Sequence, residues 1–409
     1  MKAAVIALTA LTLAATAAAV HADEHEAESI ADALADGDAG ASLRYRYEHV
    51  DQDGFADDAN ASTARLRLDY RTGSYRGWSA FGEFDYIGEL FLNDFNSLGG
   101  SSPARDRYPV VADPKGPDLN QLYVDYSPSS QLTVRVGRQQ ILVGNQRFVG
   151  AVGWRQNHQT YDGLSVMSKA LPNTELQYSY VTAVRRIFGD NVTAGRNDTD
   201  IHLLSAGIAL RDDLRLSPYF LYIDNEDVAS FSTTTLGARL TGGFKAGEGR
   251  VDLVLEVATQ SDAADNPVSY DAEYFNVGAT WSPVQDLTVG IAWESLGGDQ
   301  AVSGAAFRTP LATLHAFQGW ADKFLATPDA GIDDLYFTLR YRAGAWNLTG
   351  VYHDFSAASG SADWGSEIDL SAGRSFAERY GVLLKAAFYD ADQFATDTTK
   401  FWIMFTAAY

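Results

Sequence analysis

The chain has 409 residues, with 53 acidic against 31 basic side chains, a formal net charge of −22, no cysteine and three methionines. It is rich in Gly (36), Tyr (21), Phe (21) and Trp (8), yet its mean hydropathy is only −0.17. Such acidity argues against nucleic acid as a partner, which needs a basic surface. The lack of cysteine excludes disulfide scaffolds, iron–sulfur clusters, thiolate zinc sites and cysteine nucleophiles.

Residues 1–22 read as a cleaved secretory signal peptide. Lys2 supplies the positive start, residues 3–20 the apolar run, and Val20-His21-Ala22 a small-residue cleavage site. A membrane helix is the alternative, but the run is Ala- and Thr-rich and Asp23-Glu24-His25-Glu26 follows at once. Beyond residue 22 no stretch approaches 18 uncharged apolar residues, so no further membrane helix is expected. Residues 23–39 form an acidic N-terminal segment with seven acids and no Lys or Arg. Ser29 and Asp32 have the spacing of a helix cap, so a short helix is weighed there against disorder.

From Gly40 onward the apolar period is two. Arg65-Leu66-Arg67-Leu68-Asp69-Tyr70-Arg71 alternates at every step, as do Arg44-Tyr45-Arg46-Tyr47 and Val251, Leu253, Leu255 and Val257 with the residues between them. This pattern gives strands with one apolar and one polar face. Eighteen such segments start near Gly40, Ser62, Trp78, Leu119, Leu132, Tyr161, Thr174, His202, Leu214, Ser232, Arg250, Ala272, Leu287, Leu335, Trp346, Gly365, Tyr380 and Lys400. Sixteen remain possible if two weak segments fail. The links alternate short and long, eight short turns against nine long loops, which a soluble sandwich has no reason to do. The expected fold is therefore all-β: one transmembrane antiparallel up-and-down barrel over residues 40–409, with short periplasmic turns and long extracellular loops. The last strand puts Phe401, Ile403, Phe405, Ala407 and Tyr409 in one lipid-facing row, the signal expected for the barrel-assembly machinery. Outer-membrane lipid and lipopolysaccharide follow as partners, and the bacterial outer membrane as the location.

Charge is distributed unevenly. Residues 40–200 carry 17 basic and 19 acidic side chains, while residues 201–409 carry 13 and 27. Parity places Arg44, Arg46, Arg65, Arg67, Arg71 and Arg135 on the lumen face, with Arg340 and Arg342 further along. Lumen carboxylates are expected at Glu83, Asp85, Asp125, Asp252, Glu256, Glu294, Glu367 and Asp369. The arginines read either as a path for anionic or sugar-acid solutes, since their planar forks bind carboxylates bidentately, or as mutually paired wall charges.

Two loops stand apart. The third, with Arg138, Arg147, Trp154 and Arg155 among Gln, Asn and Gly, lacks acids, and is expected to fold into the lumen as a constriction or to pack as an ordered outer loop. The seventh is unusually apolar for an outside loop. Its Leu314, Phe317, Trp320, Phe324 and Leu325 should fold as a lid or plug, with a helical turn within 311–318.

From about Ser29 to Tyr409 the chain resembles the bacterial alginate-export outer-membrane porins. The stretches that carry the resemblance are Arg44-Tyr45-Arg46-Tyr47-Glu48, Val50-Asp51-Gln52-Asp53-Gly54, Val111-Ala112-Asp113-Pro114, Gly137-Arg138-Gln139, residues 145–148, Gly153-Trp154-Arg155-Gln156-Asn157 and residues 309–324. The resemblance implies an eighteen-stranded barrel passing a polyanionic or carbohydrate solute through an arginine-lined lumen.

The function expected is a porin for small anionic or carbohydrate solutes, without cofactor, metal or catalytic residues. An outer-membrane barrel enzyme acting on lipid or polysaccharide, or a structural or adhesin barrel, is the alternative. For an enzyme the best pairs are His158 with Asp162 and His315 with Asp322, each more simply a hydrogen-bonding pair within a loop. Neither Gly-x-Ser-x-Gly nor His-Glu-x-x-His occurs.

Overall fold

Period-two alternation becomes a closed wall in the computed structural model, which describes residues 26–98 and 105–409. The expected signal peptide, residues 1–22, lies outside the described residues. Eighteen strands follow in chain order. The first six are β1 (Asp38–Gln52), β2 (Ala59–Arg71), β3 (Trp78–Asp94), β4 (Gly116–Ser129), β5 (Leu132–Gln139) and β6 (Thr160–Ser168). Next come β7 (Thr174–Arg185), β8 (Arg196–Arg211), β9 (Leu214–Asn225), β10 (Thr233–Ala246), β11 (Gly249–Asp262) and β12 (Asp271–Val284). The last six are β13 (Leu287–Leu296), β14 (Ile332–Ala343), β15 (Trp346–Ser356), β16 (Asp363–Phe376), β17 (Tyr380–Asp390) and β18 (Thr398–Ala408).

Each strand pairs antiparallel with the next, and β1 closes on β18 from Ser42↔Ala408 to Gln52↔Thr398. Closure satisfies the backbone of both would-be edge strands, which a hydrocarbon environment requires. All eighteen expected strands form. Parity holds along the wall: Leu66, Leu68, Phe337, Leu339, Phe401, Ile403 and Phe405 are exposed on the outside, while Arg65, Asp334, Trp402 and Met404 are buried inside. Among the described residues no helix is long and apolar enough to cross a membrane.

The N-terminal segment does form a helix, α1 (Ile30–Ala35), capped by Ser29, whose hydroxyl accepts from the Asp32 N–H at 3.2 Å. It rests on the β2–β3 turn, where the Gly73 N–H donates to the Ala33 carbonyl at 2.8 Å. That puts it at the short-turn end.

Eighteen strands enclose more space than wall side chains fill. Two loops occupy it. The third long loop (residues 140–159) and the seventh (residues 297–331) turn inward and join through a parallel bridge, Val149↔Leu311. The Gly150 N–H donates to the Leu311 carbonyl at 2.9 Å, and the Thr313 N–H to the Gln146 carbonyl at 3.0 Å. Gly150 makes this approach possible, since a Cβ there would lie 2.2 Å from the Thr313 hydroxyl. The largest apolar cluster is thus inside the barrel: Ile141, Phe148, Val149, Trp154, Phe307, Leu311 and Phe324 pack on lumen residues Tyr274, Phe355, Tyr389 and Trp402. The helical turn expected within 311–318 is a 3-10 turn at Leu314–Ala316. Leu325 departs from expectation and stays 46% exposed.

Candidate functional site

The docked third loop is held first by arginines of the wall. Arg44 donates from Nε to Gln156 Oε1 at 2.9 Å, from Nη1 to the Gly153 carbonyl at 3.0 Å, and from Nη2 to the Arg155 carbonyl. Arg46 donates to the Trp154 carbonyl and pairs with Asp113 at 2.8 Å, both side chains fully buried. Arg65 reaches the Gln156 carbonyl at 3.1 Å and His158 Nε2 at 3.2 Å. Three consecutive lumen positions of β1 and β2 therefore clamp successive backbone carbonyls. Asp113 completes the clamp by accepting the Gln156 N–H at 2.7 Å. Burial opposes its ionisation, but Arg46, Arg155, the Gln156 N–H and Arg44 outweigh that and hold its carboxyl below the usual range.

The loop's own side chains reach across the lumen. Arg147 is 1% exposed and donates from Nε to Glu294 Oε1 of β13 at 2.8 Å, with Phe317 under its guanidinium at 4.7 Å. Its two terminal nitrogens have no protein partner. Arg155 pairs with Glu48 of β1 at 2.9 Å and with Asp322 of the seventh loop at 3.2 Å. Trp154 lies over the Arg46 guanidinium at 4.4 Å and flat against His315.

The seventh loop docks on acidic groups of the β16 wall. Its Trp320 and Ala321 N–H groups both donate to Glu367 Oε1 of β16, at 2.5 and 2.7 Å, and Trp320 also meets Asp369 at 3.2 Å. Successive N–H groups converging on one carboxylate form an anion nest. Gly319 shapes it, with a φ of +79° and room for no more than hydrogen beside Glu367. Gln318 donates to Glu294 Oε2 at 2.5 Å. Asp322 receives Lys400 at 2.8 Å, and Lys323 donates to Thr398 Oγ1 at 2.7 Å, both from β18. Phe324 inserts among Phe355, Trp364, Tyr389 and Phe394, with centroids 4.6–6.0 Å away.

His315 sits at the junction. Its Nδ1 is 2.7 Å from Asp322 and its Nε2 is 2.6 Å from Lys385 Nζ. An ammonium can only donate, so Nε2 accepts and the ring is neutral. Burial, reinforced by Lys385 and Arg155 against the pull of Asp322, takes its pKa down to about 3. Burial disfavours the Asp322 charge, but His315, Lys400 and Arg155 more than offset it, and the carboxyl stays well below its ordinary range.

Other expected site residues lie outside this junction. Arg67 is bidentate to Asp85 at 2.7 Å and within 3.3 Å of Glu83. Arg135 pairs with Asp125 at 2.7 Å and stacks on Tyr123 at 3.7 Å, while Arg71 stacks on Phe81 at 4.7 Å. Arg340 is a half-buried lumen residue with no carboxylate partner among the described residues. Arg342 lies at the exposed short-turn end, paired with Asp286 at 2.5 Å.

Arg138 does not line the lumen. It belongs to β5, not to the loop, and shares its face with Val134 and Val136. Its register partners are outward-facing Leu122 and Asp162, and it pairs with Asp162 at 2.7 Å. It therefore lies on the outer surface, because parity carries it there despite its sequence neighbours. Of the two histidine pairs, His315–Asp322 forms. His158 instead meets Gln140 at 2.7 Å as well as Arg65.

A family model described as "Alginate export" matches residues 36–278. No curated protein matches. Among solved structures, Pseudomonas aeruginosa OccK9 (OpdG) superposes with a TM-score of 0.72 at 12% identity, covering 92% of this chain and 99% of that one. Acinetobacter baumannii OccAB2 gives 0.71 at 17% identity, covering 92% and 99%. Pseudomonas aeruginosa OpdK, solved with vanillate, gives 0.68 at 15% identity, covering 91% and 98%.

Proposed function

The chain belongs to the alginate export family, and from that premise we propose that it is an outer-membrane channel for small solutes bearing carboxylates, uronate-type sugars among them. One observation carries the reading: charge is uneven around the lumen wall. Arg44, Arg46, Arg65, Arg67, Lys385 and Lys400 outnumber Glu48 on the contiguous strands β17, β18, β1 and β2, whereas the acids Glu256, Glu294, Asp334, Glu367 and Asp369 predominate on β11 to β16. Such an imbalance sets a field within the lumen.

Arg147 stands within that field, and its two buried terminal nitrogens still have hydrogen bonds to give. A guanidinium fork fits a carboxylate by two parallel bonds. On β2, Arg65 and Arg67 lie about 6.7 Å apart on one face, the two-residue rise of a strand, and Arg71 follows about 13 Å further along, past Asp69. They offer a carboxylate successive footholds toward the short-turn end. Vanillate, present in the OpdK structure, is itself a carboxylate.

Planar-bilayer recording of the purified protein under a salt gradient tests the reading. A reversal potential favouring anions, with uronates slowing the current more than neutral sugars, is expected. Absence of current even after deletion of residues 306–325 would sink it.

A further inference from the structure

We propose that Lys385 is the keystone of the constriction: a tethered cation seated in a box of three tryptophans, whose removal releases the seventh loop and whose place a free quaternary ammonium ion can take to close the box again. The inference rests on the channel reading only for what the box controls. Lys385 Nζ lies 3.6 Å from the Trp320 ring, 4.3 Å from Trp154 and 5.3 Å from Trp402. One ring comes from the seventh loop, one from the third and one from the wall. The lysine itself is fixed on β17, in register between Ser371 of β16 and Trp402 of β18, and is 5% exposed.

A buried ammonium ordinarily sits against a carboxylate. Here none lies within ion-pair distance among the described residues; Asp322, Glu367 and Asp369 act on it only through space. Its direct contacts are three π faces and the His315 imidazole. Desolvated aromatic faces hold a cation by their quadrupoles, tryptophan most strongly. Because two of the rings and the imidazole belong to loops rather than to strands, the ammonium is what both loops grip in common.

The grip is also built to come apart. With the loops docked, the indole N–H groups of Trp154 and Trp402 lack protein partners. Release returns these atoms to hydrogen-bonding company, so the docked state is not saturated.

The test uses full-length protein in planar bilayers and in a tryptic assay at Lys323, a half-buried seventh-loop site. Lys385→Ala should raise the ratio of open to closed states about tenfold or more, the loss of at least one desolvated cation–π contact, and should speed cleavage at Lys323. Adding tetramethylammonium chloride, but not equal sodium chloride, should restore closure and protection to this variant. Lys385→Arg should stay close to the parent. Trp320→Ala should open the channel yet fail to respond to tetramethylammonium. The keystone is refuted if Lys385→Ala gates and resists trypsin like the parent. It is equally refuted if tetramethylammonium acts alike on the two alanine variants. Expected cleavage without any current would remove the channel reading and leave the keystone standing.

Discussion

Trp154 and His315 lie face to face, their ring centroids 4.5 Å apart and their planes within 7°, although 160 residues of chain separate them. One ring ends the reach of the third loop and the other that of the seventh. The two loops meet there on a neutral imidazole, and the charge state of that imidazole couples the constriction to pH.

Acidification should loosen the seventh loop. A docked His315 has a pKa of about 3, whereas a released one returns to 6.5. Between those values the released state binds one more proton than the docked state, so docking weakens as pH falls from 6.5 toward 3. The linkage amounts to about 1.4 kcal/mol per pH unit. Asp322, also held low, adds loss in the same direction only below its ordinary 3.8. Tryptic cleavage is unsuitable at low pH, so pepsin digestion of the loop, or open probability between pH 7 and pH 4, is the measurement. His315→Gln should flatten the profile above pH 4.

Arg147 and Arg155 of the third loop and Arg138 at the end of β5 should not behave alike. Arg147→Ala and Arg155→Ala remove guanidinium groups from the lumen and should shift the reversal potential away from anions. Arg138→Ala removes one from the outer surface, paired to Asp162, and should leave it unchanged. Equal shifts in all three would contradict the strand register.

Gly319→Ala should undock the seventh loop without touching any charge. A Cβ at that position would lie 2.3 Å from Glu367 Oε2, and the φ of +79° strains any L side chain. Faster cleavage at Lys323 at neutral pH, with unchanged heat-modifiable migration of the barrel on gels, is the expected pair of results.

Asp113→Ala leaves the fully buried Arg46 guanidinium without its counter-ion and orphans the Gln156 N–H. Breaking a buried pair from one side costs roughly 3–5 kcal/mol. Urea unfolding in vesicles should report a loss of that order, or release of the third loop at a lower urea concentration than the barrel itself.

The wall was legible because each strand repeats its own message: Leu66 and Leu68 outward, Arg65 and Arg67 inward, with turn lengths alternating on schedule. The inward loops were legible as anomalies, one rich in arginine and amides where the chain is acidic, the other apolar where loops are polar. What the alternation could not convey is who meets whom. Lys385 sits in Val382-Leu383-Leu384-Lys385-Ala386-Ala387, where apolar residues on both sides blur the parity that would have assigned it to the lumen. Asp113 belongs to a short resemblance motif, but its partner Arg46 is 67 residues away. Arg138 reads as loop by composition, yet β5 continues through it to Gln139.

The clamp from β1 and β2, the contacts to β13 and the nest on β16 together turn two loops into a cross-brace. An unbraced ring of eighteen strands can be squeezed into an oval by lateral pressure in the surrounding lipid. Here compression along one diameter must strain salt bridges spanning another, so the aperture is set by a strut rather than by the hoop alone. A docked seventh loop stiffens the cylinder as it narrows the passage, and the two properties should rise and fall together.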